Sequence, residues 1–362
     1  GSLALGGWAL DDLEVRRVQI FRDPIGGEGG AQIFLGDAVF VRGARPDVAL
    51  AYPTYPLNDR AGWGFLVLTN MLPNQGNGAF RLYAYAEDAE GARTLLGAKT
   101  IIAANAGAIV PFGAIDTPGQ GATISGTLYP NFGWALSPQP HGIAFDGSTI
   151  HVIIDGMSIG HPVYNVFRAD IAALFPGLIN SGGPVGYKIL DTTALAEGQH
   201  TIAWVVYNAI GAGTGIGSRY FNVANSADAQ PADQGGVESG RRTESLATTP
   251  VAASSAVAAD IRGRLRDVDA RDDGSRQIPL GPLERLELAL PSSKEECAGT
   301  WAGYLVNDDT LGPLPVGASI DRAGTFYWQP GPGFAGTFDL VFVRTSCDGT
   351  KSRMAVTVTI KK

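Results

Sequence analysis

Apolar and polar residues alternate along most of this chain with the two-residue period of strands lying half-buried on a core. Residues 354–360 set Val356, Val358 and Ile360 on one face and Thr357 and Thr359 on the other, 285–290 alternate likewise, and 338–343 are apolar almost throughout. Further strands are expected over 15–21, 33–41, 64–69, 79–86 and 99–103, and again over 112–115, 122–136, 185–191, 200–207 and 219–223. Asp155-Gly156 between two apolar runs marks a hairpin turn. Helical spacing is confined to short stretches: Ile171, Leu174 and Phe175 fall at i, i+3 and i+4 before Pro176 stops the run, and a similar piece follows Pro46.

The pattern repeats. Trp8-Ala9-Leu10 recurs as Trp134-Ala135-Leu136, each after a glycine, and Asp47-Val48-Ala49 with Tyr52-Pro53 recurs as Asp170-Ile171-Ala172 with Phe175-Pro176. Asn58 with Gly64-Phe65 matches Asn180 with Gly186-Tyr187, Gly97-Ala98-Lys99 matches Gly217-Ser218-Arg219, and Asn105 matches Asn225. The offset shrinks steadily along the chain, as a tandem duplication with small loop differences requires. The expected division is a first module over 1–105, a complete second copy over 106–225, a flexible linker over 226–259 poor in large apolar side chains, and a third module over 260–362. The segment preceding Trp134 has only seven residues as its counterpart before Trp8. Module one is therefore expected to lack its opening strand, either because the chain is cut inside the module or because a strand from a neighbouring subunit or the linker completes it.

Composition supports an all-β reading. Hydrophobic residues make up 45% and charged ones 17%, with 49 Gly and 22 Pro, which suits short strands and tight turns. The net charge of -8, with no long Lys/Arg cluster, argues against nucleic acid as a partner. No run approaches the roughly 20 apolar residues of a membrane-spanning helix. Residues 1–5 lack a basic n-region, so an export signal is expected to have been removed or to lie upstream. The two cysteines, Cys297 and Cys347, are expected to form one bridge in an oxidising compartment, closing a loop of roughly 50 residues worth about 3 to 4 kcal/mol, and to stay as two thiols elsewhere.

Several motifs carry chemistry only on paper. Gly156-Met-Ser158-Ile-Gly160 matches a nucleophile elbow, but it follows a hairpin turn where a strand-to-helix turn is required. The glycine-rich stretch 211–217 is followed by a strand pattern, so it is expected to be a hairpin turn and not a phosphate loop. His141, His151, His161 and His200 show no metal-ligand spacing. Asp267, Asp269, Asp272 and Asp273 form an acidic cluster in which Arg271 occupies the fifth position of a calcium loop, leaving a solvated turn as the first reading and calcium as the alternative. Asp47 and Asp170 suit first helical turns, and Asn58 and Asn180 suit tight loops. Tyr52, Tyr55, Trp63 and Tyr164 are candidates for core packing or for a glycan or protein contact surface. No catalytic residue, cofactor or metal ligand is assigned.

The run Leu314-Pro-Val-Gly-Ala-Ser-Ile-Asp, with Gly324-Thr-Phe-Tyr-Trp-Gln-Pro, Gly333-Phe-Ala-Gly-Thr-Phe-Asp and Cys347-Asp-Gly, resembles the immunoglobulin- and cadherin-like modules of bacterial surface proteins. The two repeats, with Asn131-Phe-Gly-Trp-Ala-Leu, Ile154-Asp-Gly, Asp191-Thr-Thr and Gly198-Gln-His-Thr-Ile, resemble tandem bacterial Ig-like domains. The resemblance implies an all-β fold of three antiparallel Ig-like sandwiches, with short helices in the loops of the first two. It also implies a non-catalytic structural or adhesion protein, extracellular or at the bacterial cell surface after loss of a signal peptide. Protein partners or self-association are expected, with a surface glycan as a further candidate. The alternative is a carbohydrate- or protein-binding accessory region of a larger secreted enzyme.

Overall fold

The computed structural model describes residues 1–226, 241–242, 257–261, 264–291, 299–307 and 310–361. It is the expected all-β architecture of antiparallel sandwich modules, with helix confined to short pieces. Module one contains β1 (Ser2–Trp8), β2 (Val15–Arg22), β3 (Ile33–Phe40), β4 (Gly62–Leu68), β5 (Asn77–Asp88) and β6 (Arg93–Ala104), with α1 (Pro46–Ala51) and the single turn α2 (Pro73–Gly76) in its loops. Its strands form one sheet in the order β1-β4-β3-β2-β5-β6. Strand β3 pairs with β2 over 33–38 and then with β4 at Val39 and Phe40, so the sheet folds over at this strand. Its two halves close on Val18, Ile20, Trp63, Val67, Phe80 and Leu82. Strand β2, over 15–22, is internal to this sheet, and among the described strands its two edges are β1 and β6.

Module two adds two strands in front of the shared pattern: β7 (Phe112–Ile115) and β8 (Ala122–Ile124) precede β9 (Tyr129–Leu136), β10 (Ile150–Ile154), β11 (Met157–Ser158), β12 (Val163–Val166), α3 (Ala169–Leu174), β13 (Val185–Leu190), β14 (Gly198–Tyr207) and β15 (Gly213–Val223). One sheet runs β11-β10-β14-β15-β8 and the other β12-β13-β9-β7. Trp204 from β14 fills the space between them with Ile115, Ile150, Ile202, Ile216 and Phe221. Its indole N–H donates to the buried Asn131 at 2.9 Å, which satisfies both groups.

Module three contains β16 (Arg241–Arg242), β17 (Val257–Ile261), β18 (Arg264–Val268), β19 (Arg276–Leu280), β20 (Leu286–Ala289), β21 (Thr300–Asn307), β22 (Thr310–Gly312), β23 (Ala318–Ile320), β24 (Thr325–Trp328), β25 (Gly336–Thr345) and β26 (Lys351–Ile360). Its sheets run β16-β22-β21-β25-β26-β19 and β18-β17-β20-β24-β23. The linker expected over 226–259 lies mostly outside the described residues. Where it is described, Arg241 and Arg242 pair with Leu311 and Thr310, and 257–259 already belong to β17. Cys347 lies in the turn between β25 and β26, whereas Cys297, its expected partner, falls outside the described residues.

The three modules share buried surface. Val41 and Ala44 of module one and Tyr220 of module two belong to the same hydrophobic core as Trp328, Phe334 and Phe338 of module three. The loop Gln329-Pro-Gly-Pro-Gly-Phe-Ala-Gly336 is wedged between the first two modules, and small residues let it approach. Gly6 and Gly64 face each other across β1 and β4; a Cβ on Gly64 would lie 1.8 Å from the Pro332 carbonyl oxygen, and one on Gly6 would lie 2.9 Å from Gly333 Cα. The Ala335 N–H donates to the Ala44 carbonyl at 3.1 Å.

Candidate functional site

Most residues with chemical potential are consumed by local structure. Ser158 sits on the short edge strand β11, its hydroxyl accepting from the Gly160 N–H at 3.4 Å, and the next element is strand β12. Of the glycines of 211–217, expected to form a hairpin turn, only Gly211 lies in the turn between β14 and β15; Gly213, Gly215 and Gly217 already belong to β15. Asp273 accepts from the Ser275 N–H at 2.9 Å and its hydroxyl at 2.6 Å, bonds that hold its carboxyl below the usual range and close the acidic turn on itself. Arg271 reaches Gln277. Among the described residues no three His, Cys, Asp or Glu side chains converge as a metal set.

Structure brings together groups that spacing did not. The His151 and His161 rings lie 4.6 Å apart, with His161 Nδ1 2.8 Å from the Ile150 carbonyl. Burial, with the charges of His161 and Arg285, pushes the His151 imidazole down. His200 is buried and lies 2.5 Å from Asp155 through Nδ1 and 2.8 Å from the Ala196 carbonyl through Nε2. Asp155 also accepts from the Thr201 N–H, while the backbone carbonyls of Asp155 and Gly156 accept from Ser319 Oγ and Arg285 Nε of module three. This pair therefore braces the hairpin turn that docks on module three. Asp47 and Asp170 each take a bidentate bond from an arginine two residues earlier, Arg45 and Arg168. Asn58 ties down the Ala49 and Tyr52 carbonyls after α1, and Asn180 ties Ile143 through both its N–H and C=O.

The four candidate aromatics divide. Trp63 and Tyr164 are buried, Tyr164 donating to the Ala135 carbonyl at 2.6 Å, whereas Tyr52 and Tyr55 are exposed. They are joined by Trp8, which served in the sequence only as a repeat marker. The Trp8 and Tyr52 rings are 5.5 Å apart at 34°, and Tyr52 meets Tyr55 edge-on at 5.9 Å. Module two carries the same pair as Trp134 and Phe175, 5.6 Å apart at 30°. There Phe112 of β7 packs on both rings, at 6.1 Å and 5.1 Å. Trp134 and Phe175 are consequently 3% and 6% exposed, against 40% for each of Trp8 and Tyr52. The aromatic patch of module one is thus the surface that β7 covers in module two.

Backbone geometry agrees. Strand β9 pairs with β13 on one side and β7 on the other, but its counterpart β1 pairs with β4 alone among the described strands. The Ala9 N–H bonds across to the Ala61 carbonyl, so by strand alternation the backbone groups of Gly6, Trp8 and Leu10 face the open side. In module two the matching groups face β7 and the residues just after it; the Asp116 N–H donates to the Phe132 carbonyl. At the other open edge, β8 lies parallel to β15 in module two, and β6 has no such neighbour among the described strands.

No protein-family model matches the chain. No curated protein matches it either. Among solved structures, an endo-beta-1,4-mannanase from Thermotoga petrophila aligns over 32% of this chain and 20% of its own, at 15% identity and a TM-score of 0.23. Fibronectin(III)-like modules of CbhA from Clostridium thermocellum align over 69% of this chain and 94% of theirs, at 9% identity and a TM-score of 0.20. A 1.5-MDa bacterial ice-binding adhesin aligns over 100% of this chain and 91% of the solved piece, at 9% identity and a TM-score of 0.20. Overlays this loose carry no functional argument. Among the described residues no helix is long and apolar enough to cross a membrane.

Proposed function

We propose that this chain is a non-catalytic structural or adhesion protein, extracellular or at a cell surface, whose Ig-like modules work as one rigid block and whose first module is completed by strand addition. The observation that supports it best is the buried wedge of residues 329–336. A tandem of independent modules would meet through small polar contacts and move relative to one another, whereas here one loop contributes to a core drawn from all three. The residues with chemical potential, Asp155, His200 and Ser158 among them, are engaged in holding turns and module contacts. Small-angle scattering on the full chain should give a single compact particle whose dimensions do not change with salt. Turnover on a panel of glycoside, ester and peptide substrates would overturn the non-catalytic reading.

The exposed Trp8, Tyr52 and Tyr55 favour a carbohydrate-binding accessory role. Their counterparts in module two are packed core, which favours an uncovered packing surface. A glycan array separates the two, because binding that is lost in Tyr55→Ser would assign the patch to sugar.

A further inference from the structure

We infer that the open edge of β1 accepts one antiparallel peptide strand of β7 chemistry, from a polypeptide segment outside these 362 residues, whose aromatic side chain caps the Trp8–Tyr52 pair. The inference rests on the strand-addition part of the proposed function and states what the strand must be. Register follows from module two, where Phe112, Gly113, Ala114 and Ile115 lie opposite Leu136, Ala135, Trp134 and Gly133. Carried onto Gly7-Trp8-Ala9-Leu10, identical in sequence to Gly133-Trp134-Ala135-Leu136, this sets an aromatic residue opposite Leu10 and an aliphatic one opposite Gly7. Between them the strand needs small residues, because a Cβ on Gly113 would meet the Trp134 carbonyl oxygen at 2.0 Å. An acidic residue follows: Asp116 bonds Arg168, and Arg45 holds the equivalent place beside Asp47. A second short apolar run, matching Ile124, would then reach β6, whose Ile101 and Ala103 are only partly buried where Phe221 and Val223 are fully buried.

Among the described residues no free strand of this chemistry remains, since β7 is engaged in module two; the sequence of 227–256 contains no aromatic residue. Backbone bonds along the edge would provide affinity and the aromatic pocket specificity, as in other strand-addition complexes.

The test adds a synthetic peptide of residues 111–124 to the full chain and follows amide exchange and affinity. Protection is expected over residues 5–11, distinguishable from exchange into module two, which would instead change residues 131–137. Affinity should fall at least about tenfold when the peptide carries Phe112→Ser, and likewise when the protein carries Trp8→Ala. No protection over 5–11 would overturn strand addition at this edge altogether. Protection by the Phe112→Ser peptide equal to the parent would leave strand addition standing and overturn the aromatic cap. A protein that is dimeric alone, with 5–11 already protected and not displaced by peptide, would assign the edge to a second copy. Glycan binding that competes with the peptide and depends on Trp8 would assign it to sugar.

Discussion

Tyr220 donates its hydroxyl to the carbonyl of Pro332 at 2.7 Å, joining module two to the loop that module three inserts between its neighbours. The ring is fully buried, and burial pushes its phenol well above the ordinary value, so it stays a neutral donor across the working pH range. Tyr220→Phe keeps the ring and orphans a buried carbonyl. It should cost about 1 to 3 kcal/mol, read as a lower urea midpoint with an unchanged slope if the block unfolds as one unit.

Gly64→Val tests the same junction from the other side. The first side-chain carbon would fall inside the Pro332 carbonyl, and both partners are backbone, so neither can rotate away. Module one should detach from module three while keeping its own strands. The expected signature is an increased radius of gyration with near-native far-ultraviolet dichroism; an unchanged radius would mean the wedge is not what holds the modules together.

The Asp155–His200 pair gives the block a pH dependence. Burial pushes the His200 imidazole down, but the Asp155 hydrogen bond and charge, the Ala196 carbonyl and Glu197 outweigh it, so the net direction is up from 6.5. A histidine raised in the folded state contributes stability that is fully present below 6.5 and is lost as pH rises through the folded value. The melting temperature should therefore fall as pH rises above 6.5. His200→Gln should lower stability by about 3 kcal/mol at pH 6, by leaving the Asp155 carboxylate without its partner, and should flatten the profile above 6.5.

Much of the fold was legible because strand alternation and proline stops are local signals. Residues 185–190, 200–207 and 219–223 became strands, and α1 and α3 begin where the repeat placed them, whereas the turn α2 was not expected. Register was not legible at one point. The repeat aligned Gly64 with Gly186, yet Trp8 pairs with Gly62 while Trp134 pairs with Val185, so the structural counterpart of Gly186 is Trp63. A one-residue slip reverses every side chain's face. That parity puts Trp63 on the core face, at the place where module two has Gly186. The three-module junction was invisible for a different reason: Tyr220 and Pro332 are 112 positions apart, and nothing local to either announces the other.

The expected Cys297–Cys347 bridge makes a separate prediction. Alkylation of the denatured, unreduced protein should add no mass, and reduction should lower the stability of module three by about 2 to 5 kcal/mol. Two alkylated thiols in protein prepared under oxidising conditions would remove the bridge.

The two modules fill the same central space with tryptophans from different strands, and the difference can be measured. Trp204 faces Val152 from β14, and Gly133 and Gly186 leave room for its ring, while the residue facing Ile20 in module one is only Ala84. The volume is supplied there by Trp63, for which Gly7 leaves room, a Cβ on Gly7 lying 2.5 Å from the indole. Trp204 donates to Asn131, but position 5, the counterpart of 131, is a leucine, and the Trp63 indole nitrogen has no partner among the described residues. Trp63→Phe removes volume together with an unsatisfied donor, whereas Trp204→Phe removes volume and orphans the Asn131 carbonyl. Trp204→Phe should be the more destabilising by about 1 to 3 kcal/mol in chemical denaturation. The double variant Trp204→Phe with Asn131→Leu should not recover that difference, because Asn131 also donates its side-chain N–H to the Thr117 carbonyl, which the leucine would leave without that bond.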